Sequence, residues 1–267
     1  MCVCITIHLM KPITIEGIDL EIKQVGLEFS QTRLASLVFL HEGLGSVSMW
    51  RDWPAQLCQA SGRTGWIYSR QGYGRSKSGA HQRTSTPLSP RYMHHEALDV
   101  LPAIVQALSI KAPVLIGHSD GGTIALLYSS QHPTSGCIVM APHILIEEIS
   151  INAIKKTRME FENGNLRQAL NKYHEDVDGA FWQWNNVWLS SAFASFDIRP
   201  ECRNIKTPIL AIQGDSDPYG TLAQINQIKP KEGNIQREVL SNCGHSPHKD
   251  QSDACMQTIV DFLALCA

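Results

Sequence analysis

The stretch Val114-Leu115-Ile116-Gly117-His118-Ser119-Asp120-Gly121-Gly122 constrains this chain more than any other. An apolar run enters it, and a segment able to form a helix, Ser119 to Gln131, leaves it. G-x-S-x-G in that setting is a sharp strand-to-helix turn with the serine at its tip. The tip needs a strained backbone, and side chains two positions to either side would collide, so Gly117 and Gly121 must be nearly bare. The free N–H groups and positive dipole end of the following helix face the serine hydroxyl, which suits a developing oxyanion. A glycine-rich turn with no chemistry also satisfies the bare pattern, but the strand before it and the helix after it favour a nucleophile.

The rest of the chain supplies a sheet for such a turn. Buried strands are expected at Ser36 to Leu40, Gly65 to Ser69, Pro113 to Gly117, Gly136 to Ala141 and Pro208 to Gln213, with Ile235 to Leu240 as the last. Helical periodicity lies between them. Tyr92 to Leu108 puts Ala97, Leu101, Ile104, Val105 and Leu108 on one face, and a final helix runs over about Asp250 to Leu265. Such alternation predicts crossover units on a mostly parallel sheet, an α/β architecture. The opening, Ile13 to Ile22 around Gly17, reads as an antiparallel hairpin at a sheet edge.

One stretch interrupts the alternation. His143 to Lys206 separates two strands by far more than a connecting loop, and it reads as helices followed by an aromatic patch. Phe181-Trp182-Gln183-Trp184, with Trp188, Phe193 and Phe196, holds three of the chain's six tryptophans. The expected organisation is a core of residues 1–142 and 207–267 with a helical cap, 143–206, over the ends of the strands, where open α/β sheets place ligands.

A serine hydroxyl attacks only if a base takes its proton and a third group holds that base in the right tautomer. Downstream, Pro208-Ile209-Leu210-Ala211-Ile212-Gln213-Gly214-Asp215-Ser216-Asp217-Pro218 is a strand ending in a turn with two aspartates. Either aspartate can be the acid, or both can merely build the turn. Asn242-Cys243-Gly244-His245-Ser246-Pro247-His248, just before the last helix, offers the histidine.

These regions together resemble the α/β-hydrolase fold family from about Ile13 to Leu265, and the resemblance implies an eight-stranded type of sheet and a serine hydrolase with a Ser119–His245–Asp217 triad. It selects Asp217 over Asp215 as the third residue after the strand-ending glycine, and it leaves His248 either behind the triad or in the pocket. Val38-Phe39-Leu40-His41-Glu42-Gly43-Leu44-Gly45-Ser46 looks like the family's H-G loop. By that likeness Gly43 gives one oxyanion N–H and Asp120 the other. Glu42 stands where the family has glycine, so Leu44 is an alternative donor. His41 is expected to staple its loop. Ser69-Arg70-Gln71-Gly72-Tyr73-Gly74-Arg75-Ser76 resembles the R-G-x-G-x-S turn with Gln71 inserted, and its arginines are expected to tie loops together.

Composition excludes other classes. With 23 basic against 25 acidic residues, nothing favours nucleic acid or an anionic membrane. No apolar run approaches the roughly 18 residues needed to span a bilayer. Met1-Cys2-Val3-Cys4-Ile5 does not open a secretory signal, and the eight cysteines, among them Cys2 and Cys4, are scattered, which predicts reduced thiols in a cytoplasmic protein. No phosphate loop, dinucleotide fingerprint or metal spacing is present, and His94-His95 point about 100° apart on a helix, so neither cofactor nor metal is expected.

The partner is expected to be a small molecule. An aromatic cap suits an apolar or planar group, with Leu44, Trp182, Trp184, Trp188 and His248 as expected substrate contacts, while the tryptophans can equally form the cap's own core. The resemblance leaves three functions open. They are hydrolysis of a small-to-medium carboxylic ester or lactone, carbon–carbon hydrolysis of a ring-fission dienoate, and slow-turnover ligand reception. Ser246-Pro247-His248 lacks the bulky aromatic that dienoate hydrolases often carry after the histidine, which favours the first.

Overall fold

The computed structural model describes residues 12–77 and 88–266. Cys2, Cys4 and the N-terminal signal reading lie outside them. The chain opens with β1 (Ile13–Ile15), β2 (Ile18–Leu20) and β3 (Ile22–Val25), followed by β4 (Leu37–Leu40). Next come α1 (Trp53–Ser61), β5 (Gly65–Tyr68), α2 (Tyr92–His95), a π-helical turn at Glu96–Val100 and α3 (Leu101–Ala107). The centre holds β6 (Val114–His118), α4 (Asp120–Ser129) and β7 (Gly136–Met140). Four helices then intervene: α5 (Glu148–Asn163), α6 (Leu166–Leu170), α7 (Val177–Trp188) and α8 (Arg199–Cys202). The chain closes with β8 (Ile209–Gly214), α9 (Ala223–Asn226), β9 (Ile235–Leu240), α10 (Pro247–Asp250) and α11 (Ser252–Leu263).

Seven strands form one sheet in the order β3-β5-β4-β6-β7-β8-β9, all parallel except β3, which runs antiparallel to β5. The mostly parallel α/β sheet read from the sequence is therefore present, with seven strands among the described residues. The opening hairpin pairs Ile13 with Leu20 but forms a separate two-stranded sheet. Its arms are three residues each, and at Glu21 the chain is redirected, because Ser76 Oγ takes the Glu21 N–H and the Ser69 N–H takes its carbonyl. The following residues, Ile22–Val25, provide the antiparallel edge strand instead.

β4, β6, β7 and β8 are buried along their whole length, as unbroken apolar runs in a sheet covered on both faces should be. β9 is the other edge and is partly polar and exposed, with the Arg237 guanidinium donating to the carbonyls of Ile225 and Ile228. One apolar cluster holds α2 to α4 against one face, and a second holds α1 and α11 against the other. The expected helix Tyr92 to Leu108 is interrupted by the π turn just before Pro102. Proline brings no N–H and its ring crowds the carbonyl four residues back, so the ladder widens there.

Chain order reverses between β4 and β6. The chain leaves β4 toward β5 on one side, while from β6 it continues to β7 on the other. That reversal opens a crevice at the strands' C-terminal ends, where the loop from His41 and the turn at Ser119 meet. α5 to α8 fill the interval between β7 and β8, and their Phe181, Trp184, Trp188 and Phe193 join the same apolar cluster as Leu115 and Val139 of the sheet. No described helix is long and apolar enough to cross a membrane.

Candidate active site

Ser119 sits at the tip of the β6–α4 turn with φ 54° and ψ −119°, a conformation that a side chain rarely adopts. The turn is closed by contacts that admit no Cβ. One on Gly117 would lie 2.1 Å from the Gly121 carbonyl oxygen, and one on Gly121 would lie 2.0 Å from the Leu40 carbonyl oxygen. Both glycines are therefore required by close backbone approach, the second because α4 rests directly on the end of β4.

His245 Nε2 lies 2.9 Å from Ser119 Oγ, and its Nδ1 lies 2.9 Å from each oxygen of Asp217. The Asp217 side chain is shielded from solvent and also accepts from Gln213 Nε2 (2.6 Å) and the Tyr219 N–H (2.8 Å). Burial pushes its carboxyl up, but the hydrogen bond and charge of His245 and the Tyr219 N–H outweigh this, so it stays below the usual carboxylate range. Asp215 is exposed and binds Ser216 Oγ and, at 3.4 Å, the Cys243 N–H. Of the two aspartates in the turn, the geometry joins Asp217 to the histidine.

The cleft above Ser119 has a volume of about 210 Å³. Glu42, Gly43 and Leu44 line it on one side, His143, Tyr219 and His245 on another, and Ile154, Thr157, Trp184 and Trp188 of the helical insertion roof it. Grooves of about 470 and 400 Å³ lie elsewhere but contain no nucleophile beside a base. Among the described residues, the N–H groups of Gly43, Leu44 and Asp120 have no protein acceptor, so the two main donors and the alternative donor expected from the sequence are all available at the cleft.

The loop carrying Gly43 is clamped from below. His41 Nδ1 donates to the Glu42 carbonyl (2.7 Å), its Nε2 accepts the Arg70 N–H (3.0 Å), and the Arg70 guanidinium donates to the carbonyls of His41 and Glu42. Burial, followed by the charge of Arg70, pushes His41 well below the usual imidazole range, so it is neutral. His41 and Arg70 thus staple loops. Behind Ser119 the Asp120 carboxyl accepts from the Tyr92 hydroxyl (2.6 Å), which in turn accepts from Trp188 Nε1 (3.0 Å). Burial raises the Asp120 carboxyl despite the opposing charge of Arg70.

The expected substrate contacts divide. Leu44, Trp184 and Trp188 line the cleft. Trp182 does not; it packs edge-on against Phe161 and Phe181, inside the insertion, with Arg158 over its face. His248 is buried against Trp50, Trp53 and His118 behind the histidine loop. Of the aromatic patch, Trp184 and Trp188 thus border the cleft, while Trp182 packs within the insertion.

Besides Glu42, six cleft residues escaped the sequence reading: Ile154 and Thr157 of the roof, His118, His143, Tyr219 and Ser246. His143 follows β7, and its ring lies 5.5 Å from that of His245 and 4.9 Å from that of Trp188. Burial, reinforced by His245, lowers it to about 3, so it is a neutral imidazole. Its position at a strand's C-terminal end was the available signal. The Tyr219 ring lies 4.6 Å from that of His245, tilted by 40°, and its hydroxyl meets Thr157 Oγ1 at 2.7 Å. Glu42 was noted only as a departure in the loop, yet its side chain turns toward His118 and Lys249. Among the described residues no cluster of His, Cys, Asp and Glu is placed to hold a metal ion.

The model of the alpha/beta hydrolase family matches residues 37–258, and the chain belongs to that family. It is 23% identical over 260 residues to the sn-1-specific diacylglycerol lipase ABHD11 of Mus musculus, covering 86% of this chain and 81% of the relative. It is 26% identical over 188 residues to the 2-hydroxy-6-oxo-6-phenylhexa-2,4-dienoate hydrolase of Burkholderia cepacia, covering 60% and 66%. Among solved structures, the enol-lactonase from Burkholderia xenovorans superposes with a TM-score of 0.73 at 21% identity, covering 95% of this chain and 99% of that one.

Proposed function

We propose that this protein is a serine hydrolase of small, uncharged carboxylic esters or lactones. The observation that carries the reading is the unbroken hydrogen-bonded path Asp217–His245–Ser119, opening on a cleft of about 210 Å³ beside free backbone N–H groups. His245 Nε2 takes the Ser119 proton as Oγ attacks the acyl carbon, and the N–H groups of Gly43 and Asp120 receive the carbonyl oxygen as it becomes an oxyanion. The protonated histidine then passes its proton to the leaving alkoxide. Water, activated by the same Nε2, clears the acyl-enzyme. Asp217 holds Nδ1–H toward itself throughout and stabilises the imidazolium. The helical segment 143–206 acts as a cap that sizes the substrate and excludes water.

Esters are favoured over dienoates by the charge of the lining. A dienoate brings a carboxylate, and the described lining holds no Arg or Lys to receive it. Glu42 also lines it, with its carboxylate turned toward His118 and Lys249. Burial raises that group, but Lys249 and His118 more than compensate, so it is held well below the usual carboxylate range and is ionised. The likeness to the dienoate hydrolase keeps carbon–carbon cleavage as the competing reading. Initial rates on p-nitrophenyl esters from acetyl to decanoyl, beside a ring-fission dienoate, decide between them. The expected result is turnover of esters with an optimum at short acyl chains. Faster cleavage of the dienoate would replace the ester reading.

A further inference from the structure

The three segments that meet at Ser119 are linked by their immediate flanking residues. Glu42 precedes Gly43, His118 precedes Ser119, and the third link is the main-chain carbonyl of His245 itself. His118 Nε2 lies 2.7 Å from that carbonyl oxygen. A carbonyl only accepts, so Nε2 carries a hydrogen; Nδ1 is turned to the other side, where a carboxylate attracts the ring only when Nδ1 carries a hydrogen as well. There Glu42 Oε2 lies 3.5 Å from Nδ1, while Glu42 Oε1 lies 3.4 Å from Lys249 Nζ on α10. The imidazole is 1% exposed, so neither of its contacts is shared with bulk water.

The local chain is shaped around the Glu42 side chain. A Cβ on Gly45 would lie 2.5 Å from Glu42 Oε2, so the glycine leaves room for the carboxylate. The Glu42 carbonyl is fixed by His41 and Arg70, and the side chain extends toward His118 and Lys249. The loop that carries His245 is also tied through its neighbours: the Lys249 and Asp250 N–H groups donate to the Ser246 carbonyl at 2.8 Å, and the Ser216 N–H donates to the Cys243 carbonyl at 3.0 Å. The Gly244 N–H donates to Asp250 at 3.0 Å, and the Ser246 N–H reaches the same carboxylate at 3.4 Å.

We propose that Glu42 is a positioning residue for His245 and acts on it through His118. The ring acts as an imidazolium between two acceptors: the carboxylate draws its Nδ1–H, and its Nε2–H holds the main chain of the base at the distance from Ser119 that proton transfer needs. The inference rests on the reading of His245 as the general base. It gives the glutamate, found where the family has glycine, a role at the reacting centre without contact with substrate.

The test is a double-mutant cycle on ester hydrolysis with Glu42→Gln, His118→Gln and the double variant, read as kcat and KM separately, with urea midpoints measured in parallel. A misplaced base costs between about 10- and 100-fold. Each single variant is expected to lose that much in kcat, with KM and the urea midpoint little changed. The double variant should be no slower than the worse single, because both changes cut one path. Glu42→Asp, which keeps the charge, should recover part of the loss. His118→Gln tests the same path whether or not Glu42→Gln folds. Unchanged kcat in the singles, or fully additive losses, overturns the proposal. Failure of the underlying reading looks different: wild-type protein that neither turns over esters nor reacts at Ser119 with a fluorophosphonate removes the base together with its positioning residue.

Discussion

Replacing Asp217 by asparagine removes one charge and one acceptor from a group that meets three donors. His245 Nδ1–H, Gln213 Nε2 and the Tyr219 N–H share its two oxygens. The substituted amide would offer one oxygen and one NH2. Gln213 can adapt, because its Oε1 is buried without a partner and can turn to face the new donor. The Tyr219 N–H cannot turn, so the remaining oxygen stays with the main chain. His245 Nδ1 is then left between an amide NH2 and an oxygen already in use. That arrangement favours the tautomer with hydrogen on Nε2, which points a donor rather than an acceptor at Ser119 Oγ. The imidazolium formed during attack also loses its counter-charge. Together these should lower kcat/KM by about 10³- to 10⁴-fold, or roughly 4 to 5.5 kcal/mol of barrier at 1.36 kcal/mol per decade. The assay is p-nitrophenyl ester hydrolysis by Asp217→Asn and Asp215→Asn side by side, with circular dichroism to establish that both fold. The exposed Asp215 should tolerate the change within about threefold. A loss under tenfold at Asp217, or a larger loss at Asp215, would refute the assignment of the acid.

Three further outcomes follow from the site and its roof. His143, neutral in the folded state down to about pH 3, takes up a proton on unfolding once the pH falls below the ordinary imidazole value, so stability is full above about 6.5 and declines toward 3. Urea titrations at pH 7 and 4.5 should show a loss smaller in His143→Asn than in wild type by on the order of 2 kcal/mol; equal losses would contradict a buried neutral ring. Gly43→Ala would place a Cβ 2.1 Å from Trp184 Nε1, pushing the indole off the loop. It should cut kcat/KM by at least about tenfold while fluorescence reports a displaced tryptophan, and an unaltered rate would mean that this loop does not form part of the site. Trp182→Ala should cost about 2 kcal/mol of stability with little change in KM, and a large rise in KM would return Trp182 to the substrate contacts.

The sheet was legible because its central strands are unbroken apolar runs, and six of the seven fall where the runs are. β3 was not, since Ile22-Lys23-Gln24-Val25 is short, half polar and adjoins a hairpin that absorbs its first residue. The residues now paired at Ser119 were legible for a different reason. The glycines at 117 and 121 are imposed by backbone contacts that no side chain survives, and such constraints leave a pattern in sequence. Asp217 over Asp215 needed the family resemblance, because both are ordinary turn residues. The cleft was hardest to read. Trp182 and Trp184 differ by two positions on α7, which sends one into the insertion and the other over Gly43, and only the placement of the helix determines which. His143, Tyr219 and Glu42 gain their places from loops folding together, for which no local pattern exists.

The central claim is that Ser119 is the nucleophile, and reaction with a fluorophosphonate followed by peptide mass mapping tests it most directly. The account predicts one adduct, on Ser119, formed at a rate that falls with Asp217→Asn and is absent in Ser119→Ala, which should remain folded and lose ester hydrolysis. An adduct on another residue, or hydrolysis that survives Ser119→Ala, would contradict it.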